Sequence, residues 1–364
     1  MKHITVCITS INKPIFLVDL IKNAKKYSYT EFNIIIIGDY KSPSGNKDYI
    51  NSLSKKFSAD IRYLDVRDQK SFLKKYRNLN KILPYNWGGR KMLANFISIL
   101  ERSPITVQID DDNFIQNNDF FNSHSIVGTV KKINTLSSKL KWVNVYESLI
   151  EHTSLPIYPR GFLAKHRFVH NKINKELVSH KIAACNGLVL GDPDIDAFTR
   201  MFWPINVIAI KKKYLPFFAI KPGNWCTWNN QNTSTYLDVT KVYFTPHSVG
   251  RNADIWSSML VCKLASHLNE VICFGSPVVK QIRNLHSNYK DYEDERLCNL
   301  YNEDFEDFLR NTKLKSTNYS DCLSEVIDHA EKLFKRNSNN FSNNFIRDYF
   351  EEYKIWHEEV SRIS

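Results

Sequence analysis

The sequence predicts an α/β fold with a mainly parallel central sheet and a C-terminal helical extension. Three observations support this prediction: strand-like and helix-like segments alternate over roughly the first 110 residues, one apolar strand ends in three aspartates, and the composition changes after Tyr301. Alternating strands and helices pack as a parallel sheet with helices on its faces. A chain of 364 residues is also long enough to bury a large core.

The predicted strands are apolar or β-branched runs that end in polar residues. They cover residues 4–8, 32–37, 61–66 and 105–109. Helices are predicted where apolar residues recur at helical spacing, over residues 15–26, 89–101, 254–268 and 321–334.

The last segment carries an aromatic stripe at helical spacing. Its members are Phe345, Tyr349, Phe350, Tyr353, Trp356 and Val360. Such a stripe either packs back on the body of the protein or forms a homo-oligomer contact. The sequence leaves both interpretations open.

The net charge of +12 is distributed unevenly, because residues 301–364 carry −4 and the first 300 residues carry +16. This positive field favours a phosphorylated partner, together with an acidic acceptor or contact with an anionic membrane surface. Nucleic acid stays open as a partner, although no nucleic-acid-binding motif accompanies the charge. No window approaches 18 apolar residues, which argues against a membrane span. No signal peptide is apparent, and seven scattered cysteines indicate reduced core thiols, so we expect a cytoplasmic protein.

Asp110-Asp111-Asp112 directly follows the predicted strand at 105–109. Ligands of open α/β sheets bind at the carboxyl ends of the strands. Asp110 and Asp112 occupy alternate positions and therefore point to the same side of an extended chain. There they can hold a divalent metal that in turn binds a diphosphate. The alternative is a solvated acidic turn.

Other short motifs are candidate binding elements, and each has a structural alternative. Asp39 in Gly38-Asp39-Tyr40-Lys41 can accept a hydrogen bond from a base or a ribose, or belong to an ordinary turn. Arg90 and Lys91 begin a predicted helix, where phosphate can bind. Asp254 is a candidate base or a simple N-cap. His286 is a candidate metal ligand or a structural histidine.

Taken in order, the motifs resemble a known family, the reversibly glycosylated polypeptides or UDP-arabinopyranose mutases, which have a GT-A glycosyltransferase-like fold. The resemblance is carried by Gln108-Ile109-Asp110-Asp111-Asp112, Pro159-Arg160-Gly161-Phe162, Ser179-His180, Gly191-Asp192-Pro193-Asp194-Ile195-Asp196-Ala197 and Asp254-Ile255-Trp256. STELLO-type glycosyltransferases, which are distant relatives, have a similar Gly-Asp-x-Lys turn and Asp-Ile-Trp segment. The resemblance covers roughly residues 1–290.

The resemblance implies a domain organisation and a set of roles. Residues 1–300 would form a GT-A-like catalytic domain, with a nucleotide-binding half at 1–130 and a sugar and acceptor half at 131–300, followed by the helical extension at 301–364. The cofactors would be Mn²⁺ or Mg²⁺ and a nucleotide-sugar, expected to be a UDP-sugar. The implied metal ligands are Asp110, Asp112 and His286. The implied nucleotide-binding residues are Thr9, Asn12, Asp39, Lys41, Arg90, Asp110 and Asp111. The implied catalytic residues are Arg160, which matches the arginine that in the mutases becomes glycosylated or sits against the transferred sugar, and Asp192, Asp194 and Asp254 at the sugar or acceptor, with Asp254 as the first candidate for the base.

The sequence also departs from the mutases. Leu163-Ala164-Lys165-His166 stands where they continue with Pro-Phe-Ser, and the basic charge and helical tail are unlike a small-molecule mutase. These differences favour transfer of the sugar to a separate acceptor, a glycan or a lipid-linked intermediate. Two alternatives stay open: a nucleotide-sugar pyranose/furanose mutase acting through Arg160, and a non-catalytic binding protein on the same fold.

Overall fold

A computed structural model describes residues 1–283, 287–334 and 341–363. The N-terminal half is built from strands and helices in alternation, as predicted. The strands are β1 (Ile4–Ser10), β2 (Phe32–Gly38), β3 (Asp60–Leu64) and β4 (Ile105–Ile109). The helices are α1 (Leu17–Lys26), α2 (Asn46–Phe57), α3 (Val66–Leu73), α4 (Arg77–Ile82) and α5 (Met92–Leu100).

The middle of the chain is richer in strands than in helices. Its strands are β5 (Asn113–Ile115), β6 (Val130–Ser138), β7 (Leu149–Glu151), β8 (Ile173–Gly191), β9 (Val207–Ile210), β10 (Phe217–Ile220), β11 (Asn232–Tyr236) and β12 (Val271–Gln281). Its helices are α6 (Phe120–His124), α7 (Ala197–Phe202), α8 (Leu237–Val242) and α9 (Ala253–His267). The C-terminal helices are α10 (Asn288–Asn311), α11 (Tyr319–Leu333) and α12 (Phe341–Ser361).

Within the described ranges the strands form one sheet in the order β3-β2-β1-β4-β11-β8-β6-β10-β12-β5, with β7 and β9 attached beside β8. The first four strands are parallel, because β1 lies between β2 and β4 and β2 pairs with β3. From β11 onward the sheet is mixed, since β11 runs antiparallel to both β4 and β8. The predicted α/β class is therefore confirmed, and its parallel part is the N-terminal half.

The aromatic stripe of α12 packs on the body of the same chain. Trp356 is fully buried, stacks on Phe244 with ring centroids 4.9 Å apart, and donates its indole N–H to the Lys241 carbonyl at 2.9 Å. The Tyr353 hydroxyl accepts the Phe244 amide at 3.1 Å. This buried stripe is not a surface for self-association, so a homo-oligomer stays a prediction without it.

α10 runs through residue 300, the expected end of the catalytic domain, and joins the body to the extension. Phe305 stacks on Trp256 with centroids 4.1 Å apart, and Glu306 accepts the Trp142 indole N–H at 2.6 Å. The division at residue 300 stays a prediction. All seven cysteines are buried and unpaired, as expected of core thiols. Each helix in the described part of the chain is too short or too polar to cross a bilayer.

We predict that Trp356→Ala lowers the free energy of unfolding by about 3–5 kcal/mol, because it removes a buried aromatic ring and leaves a cavity. Lys354→Ala on the same helix is the control: this lysine forms a solvent-exposed ion pair with Glu331 of α11, and its loss should cost less than about 1 kcal/mol. Chemical denaturation followed by circular dichroism measures both changes. Equal effects would show that α12 does not contribute to the core.

Candidate functional site

The three consecutive aspartates lie where the parallel half of the sheet meets the mixed half. They follow the carboxyl end of β4, and the Asp110 amide donates at 3.1 Å to the carbonyl of Gln231, the residue before β11. A cavity of about 490 Å³ opens at this edge. Its lining includes Asp110, Asp112, Arg160, Asp194, Asp254, Arg251, Gln281 and Arg283. The fold therefore gathers carboxylates and guanidiniums from distant parts of the sequence around one space.

Asp110 and Asp112 both line the cavity, and Asp111 points elsewhere, as the alternation of an extended chain predicts. The Asp111 carboxylate accepts a hydrogen bond from the Ser10 hydroxyl at 2.7 Å, and burial raises its pKa. Asp111 thus ties β4 to the end of β1. Its expected direct contact with a nucleotide is not supported by this orientation.

Asp110 is paired with Lys91, which was expected at a phosphate-binding helix start rather than against an aspartate. The Lys91 side chain is only 1% exposed, and its ammonium also donates to the Asn230 carbonyl at 3.0 Å. The signal was available, because Lys91 stands beside Arg90 at the start of a helix. A buried cation at Asp110 offsets part of the negative charge that two neighbouring carboxylates would otherwise concentrate.

Asp112 has a side-chain contact with Gln281, the last residue of β12. The Gln281 amide nitrogen donates to Asp112 at 3.2 Å, and the Gln281 side-chain oxygen is buried without a hydrogen-bond partner in the described structure. An oxygen of this kind is a suitable ligand for Mg²⁺ or Mn²⁺. A signal was present in the sequence here too, because the apolar strand β12 ends in polar residues, as the apolar strand β4 is followed by aspartates.

The oxygen set at this edge fits a hard divalent cation bound together with a diphosphate. Within the described ranges, no group of three or more His, Cys, Asp and Glu side chains forms a metal site by itself. Mg²⁺ characteristically takes one or two carboxylates and completes its shell with phosphate oxygens and water. Asp110, Asp112 and the Gln281 oxygen match that requirement. His286, the third expected ligand, lies outside the described residues.

Arg160 lines the same cavity, is 5% exposed, and is surrounded by acceptors. Its Nε and Nη2 donate to the two oxygens of Asp194, both at 2.9 Å, and Nη2 also donates to both oxygens of Asp254 at 3.1 Å. Its Nη1 donates to the Arg251 carbonyl and, at 3.0 Å, to the Asn252 side-chain oxygen. These contacts engage all five N–H donors of the guanidinium.

This environment does not support a reaction of Arg160 with the sugar, whereas a position of Arg160 against the sugar stays a prediction because Arg160 lines the cavity. Burial by itself would lower the pKa of Arg160, but Asp194 and Asp254 outweigh it and raise that pKa well above its ordinary value. A charged guanidinium with every donor engaged is not a nucleophile. Arg160 is instead a positioning residue for Asp194 and Asp254.

The two carboxylates held by Arg160 differ in their affinity for a proton. Burial favours the protonated form of both, but the bidentate pairing with Arg160 lowers the pKa of Asp194 below its ordinary value. For Asp254, burial and the nearby carboxylates of Asp194 and Asp110 raise the pKa despite the contact with Arg160. Asp254 faces the cavity. Of the two carboxylates, it is therefore the one with the greater affinity for a proton.

Asp192 is drawn into ion pairs at the rim, away from the cavity lining. It pairs with Arg200 of α7 and lies 4.0 Å from the Arg283 guanidinium. Arg283 and Arg251 both pair with Asp291 of α10, at 2.9 and 3.1 Å. The expectation that Asp192 faces a sugar is not supported. The rim instead presents Arg251 and Arg283 to the cavity.

The expected nucleotide-binding residues of the first two strands lie along the same sheet edge. Asp39 accepts the Tyr40 amide at 2.6 Å and the Asn86 amide at 2.7 Å, and the Thr9 hydroxyl donates to the Ile37 carbonyl at 3.2 Å. Asn12 and Lys41 are exposed. These four residues stay candidates, with Asp39 already engaged in holding the loop that carries Asn86.

The expected contact between Arg90 and a diphosphate is not supported by the placement of Arg90 in this structure. Arg90 is fully buried, donates from Nε to the Gln69 side-chain oxygen at 2.6 Å, and lies over the Tyr85 ring at 3.4 Å from its centroid. Gln69 in turn donates to the Gly38 carbonyl at 2.7 Å. The reason is local: residues 88–91 form a 3-10 helix, which directs Arg90 inward and Lys91 toward Asp110.

We predict that Arg160→Lys lowers the free energy of unfolding by about 3 kcal/mol, since a lysine cannot satisfy two buried carboxylates with one ammonium. Arg62→Lys is the matched control, because Arg62 forms a similar two-bond pair with Glu101 that is exposed to solvent. The control should lose less than about 1 kcal/mol in the same denaturation experiment. An Arg160→Lys variant as stable as the control would contradict the positioning role.

Comparison with known proteins gives weak matches of structure only. No family model and no curated protein matches the sequence.

The chain is similar to glucosyl-3-phosphoglycerate synthase from Mycobacterium tuberculosis in complex with Mn²⁺ and UDP-glucose, with 9% identity, a TM-score of 0.39, and coverage of 82% of this chain and 78% of that one. It is similar to the mannosyltransferase PcManGT from Pyrobaculum calidifontis in complex with GDP-Man and Mn²⁺, with 8% identity, a TM-score of 0.43, and coverage of 99% and 87%. It is similar to S. aureus TarS 1-349 in complex with UDP, with 11% identity, a TM-score of 0.35, and coverage of 100% and 92%. These similarities are too weak to assign a family or a function to the chain.

Proposed function

We propose that this protein is a metal-dependent glycosyltransferase with a GT-A-like fold that uses a nucleotide-sugar donor, which we expect to be UDP-linked. One observation carries the proposal. Asp110 and Asp112, at the carboxyl end of β4, share a cavity with Asp254, a buried carboxylate whose pKa is raised. A pair of oxygen ligands for a cation beside a carboxylate able to accept a proton is the minimum that sugar transfer from a diphosphate requires.

In this proposal Asp110, Asp112 and the Gln281 side-chain oxygen would hold a Mn²⁺ or Mg²⁺ ion. The bound cation would neutralise charge on the departing nucleoside diphosphate. Lys91 keeps Asp110 in place through its buried ion pair. Arg251 and Arg283 bring positive charge to the same cavity and would attract the diphosphate.

Asp254 would act as the general base toward the acceptor hydroxyl. A general base works best when its pKa lies near the working pH, and the raised pKa of Asp254 is a shift in that direction. Arg160 and Asp194 hold its orientation, because the Asp254 oxygens accept from the same Arg160 nitrogen that binds Asp194. A nucleotide-sugar mutase acting through Arg160 has no supporting observation, since that guanidinium is fully engaged.

The class of acceptor is proposed from the charge of the chain. The first 300 residues carry +16, which favours an acidic glycan or a lipid-linked intermediate as the acceptor. A protein of this kind would act in the cytoplasm, in polysaccharide biosynthesis. The non-catalytic alternative differs in one measurable respect: it would bind a nucleotide-sugar without releasing a nucleoside diphosphate from it.

We predict that Asp112→Asn weakens Mn²⁺-dependent binding of UDP by about a hundredfold or more, since it removes a charged metal ligand. Asp238→Asn is the control, because Asp238 is exposed at the start of α8, which follows the opposite end of β11. Isothermal titration calorimetry with and without Mn²⁺ measures both variants. Binding of UDP by Asp112→Asn at the strength of the control would remove the metal site from the proposal.

We predict a pH dependence of kcat/KM set by Asp254. Activity requires the deprotonated carboxylate, so the rate should rise with pH through a pKa above the ordinary aspartate value of about 3.9. Asp254→Asn should lower kcat by about 10²–10⁴-fold and abolish this acidic limb. An unchanged acidic limb in Asp254→Asn would assign the base to another group.

A further inference from the structure

An apolar surface of unusual exposure lies on α7 and the strand that follows it. Phe198, Phe202 and Trp203 are 52%, 65% and 41% exposed, and Ile208 of β9 is 59% exposed. We call these four residues the α7 face. Single exposed apolar residues are ordinary on protein surfaces, whereas several large ones close together indicate an interaction surface.

The α7 face is joined by a second exposed apolar loop. Phe168 and Val169 are 76% and 49% exposed. The residue before them, Arg167, pairs at 2.8 Å with Asp196, the residue that caps the N-terminus of α7. This ion pair fixes the loop against the beginning of the α7 face.

The loop around Phe168 and the segment that carries the α7 face contain basic residues and no acidic ones. Residues 164–172 and 197–213 contain no Asp or Glu, and the second segment ends in Lys211-Lys212-Lys213, all exposed. Aromatic side chains beside lysines are the composition of surfaces that lie in the interfacial region of a membrane. Anionic lipid headgroups attract these exposed lysines, whereas a bilayer of lipids without net charge does not.

The exposed groups fit a bilayer better than a saccharide. A sugar-binding platform needs hydrogen-bonding side chains beside its aromatic rings. Between Phe202 and Ile208 the exposed side chains are Trp203, Pro204 and Asn206, whose only hydrogen-bonding groups are the Trp203 indole N–H and the Asn206 amide. Apolar contact combined with positive charge is what an anionic lipid surface provides.

The α7 face lies next to the candidate catalytic cavity. Asp194, which lines the cavity, precedes the α7 cap Asp196 by two residues, and Arg200 of α7 pairs with Asp192. We propose that the α7 face docks on an anionic lipid bilayer and brings the cavity to acceptors carried by that membrane. The identification of a lipid-linked acceptor rests on the proposed transferase function, whereas the docking itself does not.

The test uses the full-length protein and vesicles made of equal parts phosphatidylglycerol and phosphatidylcholine, or of phosphatidylcholine alone, in a co-sedimentation assay. We expect binding to the anionic vesicles, weakened by added salt. Phe202→Ser and, separately, Lys212→Glu with Lys213→Glu should each weaken it by about tenfold or more. The controls are Leu333→Ser, equally apolar and exposed on α11, and Lys55→Glu with Lys56→Glu on α2, and they should bind like the unaltered protein.

Several outcomes would overturn the docking proposal: equal sedimentation of test and control variants, absence of binding to anionic vesicles, or self-association lost in Phe202→Ser. Loss of glycan transfer in Phe202→Ser without any vesicle binding would make the α7 face a saccharide platform. Asp112→Asn separates the two proposals, because it alters the proposed metal site and leaves the α7 face unchanged. If this variant binds vesicles and the unaltered protein turns over no donor, the docking proposal stands and the transferase proposal fails. If the unaltered protein turns over a donor but binds no vesicles, the transferase proposal stands and the docking proposal fails.

Discussion

The site depends on one buried ion-pair network, in which Arg160 holds Asp194 and Asp254. Two carboxylates buried side by side repel each other and favour protonation, and a single guanidinium with a rigid fork satisfies both. The network gives the two carboxylates different proton affinities. The bidentate contact with Arg160 lowers the pKa of Asp194, whereas the pKa of Asp254 is raised. Because breaking such a pair costs about 3–5 kcal/mol, the geometry of the base and the stability of the fold are coupled.

The sheet supplies the other half of the site at the seam between β4 and β11. There a parallel array, whose carboxyl ends meet at one edge, joins strands that run in the opposite direction. Asp110 and Asp112 come from the first group, and Gln281 reaches Asp112 from the end of β12. The C-terminal helices support this arrangement from outside: Glu352 of α12 accepts the backbone amides of His247 and Ser248, which begin the loop leading to Arg251 and Asp254.

Local sequence pattern was sufficient for the elements and for the strand that ends in aspartates. β4 has its predicted bounds, and α9 and α11 begin and end within two residues of the predicted ones. The pattern failed where a role depends on partners distant in sequence. Nothing near Arg160 indicates that Asp194 and Asp254, 34 and 94 residues away, engage it fully. Arg90 and Lys91 were both expected near phosphate, but a 3-10 turn directs Arg90 inward and Lys91 toward Asp110. The aromatic stripe was recognised, but only the structure distinguishes packing on the body from self-association.

The most direct test of the central claim is to incubate the pure protein and Mn²⁺ with a panel of UDP- and GDP-sugars, without acceptor, and to resolve the products by mass. A glycosyltransferase held in this geometry should release nucleoside diphosphate slowly from one donor, through transfer to water, and should leave no isomer of that donor. Conversion of a donor to an isomer of equal mass, with little free nucleoside diphosphate, would contradict the account, because it would require a reacting group that the engaged Arg160 cannot supply.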